Sequence, residues 1–242
     1  MLAGNGAGVC TIVALLYPKT KMLKTKQIIA VIGATGNMGS AISKSLSKGN
    51  YRLLLCSDNK GKVQKIISDI KSSNPSADVE TIDCTAQASW EADIIIAAVP
   101  YSAEKEVAEK IKEVANQKIV ISIANPLNET YDGLVTSPDT SAAEELQKLL
   151  PNSKVIKAFN TTFAADFSTP VIDGKQVDAF IAGNDEEALQ TVSELVTTAG
   201  FNPIITGDLL VSRTLENMQL LLIQLGIKYN YNWLAGWKIL HS

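Results

Sequence analysis

The sequence predicts an α/β protein: a doubly wound Rossmann sheet, mostly parallel, with a C-terminal helical extension. Three observations predict it. Short β-branched runs alternate with helical patterns from Gln27 onward, the pattern of βαβ units whose strands are buried on both faces. The first run closes on three glycines spaced three apart, Gly33, Gly36 and Gly39, which suits a dinucleotide turn. From Leu209 to Leu240 the chain reads as helix, apolar on most faces.

Taken in order, residues 1–25 hold a short apolar run without a basic leader or a small-x-small cleavage site. The run is too short to span a membrane, so a disordered extension is expected there. A nucleotide-binding domain follows over residues 26–206. Its strands are read as Ile28 to Gly33, Arg52 to Ser57, Asp78 to Asp83, Asp93 to Val99, Lys118 to Ile123 and Lys154 to Phe159. The helices between them carry apolar residues at three- and four-residue spacing, as in Val63, Ile66, Ile67 and Ile70. Two looser strands, "DAFIAGND" and "NPIITGD", flank a helix from about Glu186 to Thr198. Residues 207–242 form the C-terminal helical segment, as one helix or as two joined near Gly226. So apolar a segment needs cover on more than one side, either from the sheet domain or from a second copy in a homodimer.

Composition narrows the function. A formal net charge of -3 argues against a nucleic-acid partner, whose phosphates call for clustered Lys and Arg. Cys10, Cys56 and Cys84 lie far apart with no C-x-x-C pattern, which fits reduced thiols in the cytoplasm rather than a disulfide frame or a zinc site. The one histidine, His241, stands at the tail. A His-based proton relay and a catalytic metal are therefore not expected.

In "IGATGNMG" the cofactor-binding candidates are Gly33, Thr35, Gly36, Asn37, Met38 and Gly39. Gly33 makes the tight turn, Gly36 lets backbone N–H groups approach a pyrophosphate, and Gly39 lets the helix sit close to the sheet. The spacing departs from G-x-G-x-x-G, and the Thr35 hydroxyl is free to add a phosphate hydrogen bond. At the end of the second strand, "CSDNKGK" gives two readings. Asp58 stands where a carboxylate binds ribose hydroxyls, which favours NAD; Ser57, Asn59, Lys60 and Lys62 together suit a 2′-phosphate, which favours NADP. Asp58 as a mere helix cap is a third reading.

Val99 and Pro100 leave the fourth strand along the cofactor path. Tyr101 and Lys105 repeat the Y-x-x-x-K spacing of short-chain dehydrogenases, but they open the wrong helix for that role, and Tyr101 reads equally as packing at the pocket lip. "SIANPL" and "KAFNTTFAADF" end the fifth and sixth strands and point into the same crevice. Asn125 and Phe163 are read there as cofactor contacts. Asn160, Thr161 and Thr162 are read as the catalytic wall, which positions two rings for hydride transfer without a titrating group. Capping of the next helix by Asn160 and Thr161 is the plain alternative.

On "IGATGNMG", "SDNKGK", "AVPY", "KAFNTTFAADF", "AFIAGNDEEA" and "GDLLVSRTLENMQLLL", the chain resembles the NADP oxidoreductases that work with the deazaflavin coenzyme F420. It is also similar to the related reductase domain of the STEAP metalloreductases. The resemblance implies NADPH over the glycine turn, with Ser57 and Lys62 near its 2′-phosphate, and a flavin or deazaflavin acceptor against Asn160 to Phe163. Asp58 stands where the family often has arginine. A non-enzymatic dinucleotide sensor and an atypical short-chain dehydrogenase are the competing functions.

Overall fold

A computed structural model describes residues 25–241. The extension expected over 1–25 lies, but for Thr25, outside the described residues. The chain runs β1 (Gln27–Ile32), α1 (Asn37–Leu46), β2 (Tyr51–Cys56), α2 (Lys60–Ser73), β3 (Asp78–Thr81), α3 (Thr85–Glu91), β4 (Ile94–Ala97), α4 (Tyr101–Ile111), β5 (Ile119–Ser122), α5 (Ala142–Leu149) and β6 (Lys154–Lys157). A two-residue hairpin, β7 (Val171–Ile172) and β8 (Lys175–Gln176), precedes β9 (Asp178–Gly183), α6 (Glu186–Thr198), β10 (Asn202–Gly207) and α7 (Ser212–Tyr229).

The eight-stranded sheet has the order β10-β9-β6-β5-β4-β1-β2-β3. Its first six strands are parallel in the doubly wound order. β9 pairs antiparallel to β6, and β10 runs parallel to β9 at the edge, with Pro203 in its ladder. The sheet is therefore mostly parallel, as expected.

Period-two alternation sends Ile29, Val31, Leu53 and Leu55 to one face, under α1, α2 and α6. Ala30, Ile32, Leu54 and Ile95 face α3, α4 and α5 on the other. Both faces are dry, which is why these strands read as unbroken apolar runs. Truncating a fully buried leucine such as Leu53 to alanine costs about 2–5 kcal/mol.

The C-terminal segment differs from its expectation of helix to Leu240. After a 3₁₀ turn at Leu209–Val211, α7 ends at Tyr229, where Asn230 takes a left-handed φ of 57°. The tail then folds back onto the start of β9. The Asp178 N–H donates to the Trp237 carbonyl at 2.9 Å, while the fully buried Asp178 carboxylate accepts from Lys238 Nζ at 2.7 Å and the Ile239 N–H at 2.6 Å. Burial pushes this carboxyl up, but those bonds and one from Asn202 outweigh it and hold Asp178 below the usual carboxylate range. Helical periodicity continues on paper past Tyr229, yet the buried carboxylate captures those residues instead.

Candidate functional site

The turn after β1 shows three glycines required for three different reasons. Gly33 has φ +82°, and a Cβ there would strike the Ala98 carbonyl. A Cβ on Gly39 would strike the Gly33 carbonyl, so its glycine seats α1 against the turn. Gly36 has neither constraint: its φ is -68°, and a Cβ would meet the Gly33 carbonyl at 3.4 Å and the Ala98 carbonyl at 3.9 Å, both ordinary contacts. Nothing in the chain itself demands glycine at position 36. It is also the N-cap of α1, with no side-chain cap and no acidic residue in the first turn, so the amides there and the positive end of the helix are left for an anion. These features fit the pyrophosphate of a dinucleotide.

Gly36, Asn37 and Met38 form one side of a cleft of about 720 Å³, with Val99, Pro100 and Asn125 across from them. Its size suits a ligand of cofactor dimensions. Val99 also borders a smaller hollow of about 170 Å³ lined by Gly33, Ser57, Asp58, Thr85 and Lys110. The two spaces lie along the C-terminal ends of β1, β2, β4 and β5, where open α/β sheets bind ligands.

At the β2 end, the hydroxyls of Thr35 and Ser57 meet at 2.5 Å. Asn59, not Asp58, caps α2, its side chain accepting the Lys62 N–H at 3.0 Å. Lys60 pairs with Asp83 at 2.5 Å. The exposed Asp58 is therefore left facing the hollow without a capping duty, and Lys62 stands on the exposed side of α2 away from both cavities.

At the β6 exit, Phe159 is fully buried with a left-handed φ of 58°, a conformation that costs an aromatic residue about 1–3 kcal/mol. This turn presents Asn160 to Asn125. Asn125 Nδ2 donates to the Asn160 carbonyl at 2.9 Å, and Asn160 Nδ2 donates to Asn125 Oδ1 at 3.0 Å. Asn160 Oδ1 has no hydrogen-bond partner among the described residues.

Beneath this pair lies a buried ionic group. Lys157 and Glu216, both fully buried, pair at 2.6 Å. Lys157 Nζ also donates to the Ala124 carbonyl at 2.5 Å, and Glu216 Oε2 accepts the Ala142 N–H at 3.2 Å. Glu104 accepts from the Ser122 hydroxyl at 3.0 Å. Burial pushes its carboxyl up to about 7, against the pull of Lys157 and Ser122. Tyr101 donates to Glu145 at 2.5 Å, and burial together with that bond pushes its phenol up to about 12. Such a phenol is a poor proton donor near neutral pH, which weighs against the short-chain-dehydrogenase role. Among the described residues, no group of three or more His, Cys, Asp or Glu side chains is placed to hold a metal ion.

Residues 28–126 match the family described as NADP oxidoreductase, coenzyme F420-dependent. Across 213 residues the chain is 33% identical to the F420-dependent NADP reductase of Methanocaldococcus jannaschii, which covers 83% of this chain and 93% of that protein. The chain belongs to this family. Membership places it among NADP-dependent oxidoreductases. A solved structure from Arthrobacter sp. FB24, assigned to the F420-dependent NADP reductases, shares the fold at a TM-score of 0.76 and 23% identity, over 88% of this chain and 99% of that one. The rat metalloreductase STEAP3 is 33% identical over 106 residues, 44% of this chain and 21% of that protein.

Within this F420-dependent family member, the cleft brings together Gly36, Asn37, Met38, Val99, Pro100 and Asn125 of the sequence-derived candidates, and the hollow brings together Gly33, Ser57 and Asp58. Asn160, Thr161, Thr162 and Phe163 line neither space. Asn160 backs Asn125, the Thr162 hydroxyl donates to the Phe159 carbonyl at 2.9 Å, and the Thr161 hydroxyl accepts the Phe180 N–H at 3.5 Å. Phe163 packs on Leu222 and Ile223 and edge-on against Trp233. The "SIANPL" segment enters the cleft as read from the sequence, through Asn125, Leu127 and the following Asn128, but sequence reasoning missed Glu129 and Val135 further along the same loop, and it missed the buried Lys157 and Glu216. The loop's one legible signal is "NPLN", a breaker cluster just past a strand end.

Proposed function

We propose that this chain transfers hydride between NADP(H) and a flavin-like ring, with a deazaflavin such as F420 as the foremost acceptor. The observation that carries the reading is Gly36, a glycine that no close contact within the chain requires, at the N-terminus of α1 in a chain 33% identical along most of its length to an F420-dependent NADP reductase. The amides at the start of α1 hold the pyrophosphate, and Ser57 and Asp58 meet the adenosine ribose. NAD in place of NADP is the variant that Asp58 favours. Bound NADPH supplies a hydride at its nicotinamide ring. Asn125, held by Asn160, orients that ring, and the apolar Leu127 and Val135 limit water in the cleft. No residue need gain or lose a proton for the transfer itself.

In the same reading, Asn160, Thr161 and Thr162 act by shaping the wall behind Asn125, and Phe163 supports it from the α7 side. The division at residue 206, a homodimer formed through the exposed Leu210, Leu221 and Ile227 of the α7 region, and residence in the cytoplasm belong to the proposal too. No helix among the described residues is long and apolar enough to cross a membrane. The test is NADPH oxidation followed optically on adding F420, FMN or FAD. Fast turnover with one of them supports the reading; tight NADPH binding without oxidation by any acceptor replaces it with a redox sensor.

A further inference from the structure

A buried ion pair rarely adds stability over two well-packed apolar residues, so the placement of Lys157 and Glu216 needs another reason. Lys157 ends β6, and Glu216 sits in the second turn of α7. Lys157 reaches the carbonyl of Ala124, just past β5, while Glu216 reaches the N–H of Ala142, the first residue of α5. Those two backbone groups are the ends of the loop that brings Asn125, Leu127 and Val135 to the cleft. One pair thus grips both ends of one wall, Lys157 from β6 and Glu216 from α7, two elements that contribute nothing to the cleft lining.

We infer that Lys157 and Glu216 are positioning residues, a clamp that fixes the loop between β5 and α5 and so sets where Asn125 stands. This rests on the reading that the cleft holds a dinucleotide. Charged donors and acceptors make shorter and stronger hydrogen bonds than neutral ones, and a methionine–leucine pair fills similar volume without gripping either backbone group. The clamp makes α7 part of the site's architecture. A displacement near 1 Å at reacting groups is enough to slow transfer by about a hundredfold.

The test uses the double variant Lys157→Met/Glu216→Leu, because Lys157→Met alone strands a buried carboxylate. The double variant should melt near the parent temperature and bind NADPH nearly as well, since the glycine turn is untouched. Its kcat should fall by about ten- to a hundredfold, and amide exchange should accelerate over residues 124–142 but not in β1 or β2. A folded double variant with parental kcat and loop exchange overturns the clamp. In the unaltered protein, NMR should show a slowly exchanging Lys157 ammonium coupled through its hydrogen bond to the Ala124 carbonyl; a freely exchanging ammonium overturns the clamp whether or not the variant folds. Asn125→Ala separates the two layers. Parental turnover in Asn125→Ala removes Asn125 from the site and the clamp with it, a crippled Asn125→Ala beside a parental double variant removes the clamp alone, and parental NADPH affinity in Gly36→Val removes the dinucleotide reading.

Discussion

The Thr35 and Ser57 hydroxyls share a 2.5 Å hydrogen bond that ties the turn after β1 to the exit of β2. With Ser57 held there and Asn59 occupied as the α2 cap, Asp58 is an exposed side chain on the smaller hollow, where the proposed function puts the adenosine ribose. A carboxylate in that place accepts from ribose hydroxyls and repels a 2′-phosphate.

Asp58→Arg should therefore move preference toward NADPH. A bidentate guanidinium–phosphate contact replaces a repulsion, and hydrogen bonds to charged groups contribute about 1.5–3 kcal/mol, so the ratio of NADH to NADPH dissociation constants should rise about tenfold or more. Titration of both nucleotides against both proteins measures it. An unaltered ratio means that Asp58 points away from the ribose.

Gly36→Val should separate folding from binding. The backbone at position 36 is extended, with ψ 164°, and a Cβ there meets only ordinary contacts, so circular dichroism and melting should match the parent. NADPH affinity should be lost, because the side chain would stand where the proposed function puts the pyrophosphate. Gly39→Val should instead damage the fold, since its Cβ collides with the Gly33 carbonyl. Parental affinity in Gly36→Val would refute the placement of the phosphates.

Glu104 should make stability depend on pH. Its folded pKa is raised from 4.5 to about 7, chiefly by burial, with Lys157 and Ser122 opposing and Glu216 and Glu145 adding to the rise. Between those values the folded protein keeps a proton that the unfolded chain releases, so stability falls as pH rises through the window. The decline across the whole window is on the order of 3 kcal/mol, at about 1.4 kcal/mol per pKa unit. Asp166, raised from 3.8 to about 7 by burial, acts in the same direction. Denaturant midpoints across that window should decline for the parent, and Glu104→Gln should show a shallower decline and greater stability at the upper end. Equal slopes for the two proteins would reject the assignment.

The parts of this molecule legible in sequence are those fixed by neighbours in the chain. The apolar runs of β1 to β6, the three glycines and the limits of α6 depend on local pattern, and the strand cores and α6 lie where that pattern puts them. The direction of β9 and β10 was not legible, because a strand's alternation is the same read either way. Asn160 was legible as a polar residue at a strand end, but not as the support behind Asn125, since that depends on the left-handed turn at Phe159. Lys157 and Glu216 stand 59 residues apart, and each alone reads as solvated surface. Only the folded chain brings them together.

Pro203 has a bearing on assembly as well. It lies in β10, the outermost strand on its side of the sheet, and has no N–H to offer a neighbouring chain. Strand-by-strand growth outward from that border meets a missing donor, so polymerisation by sheet extension is discouraged there and packing between side chains becomes the easier route for self-association.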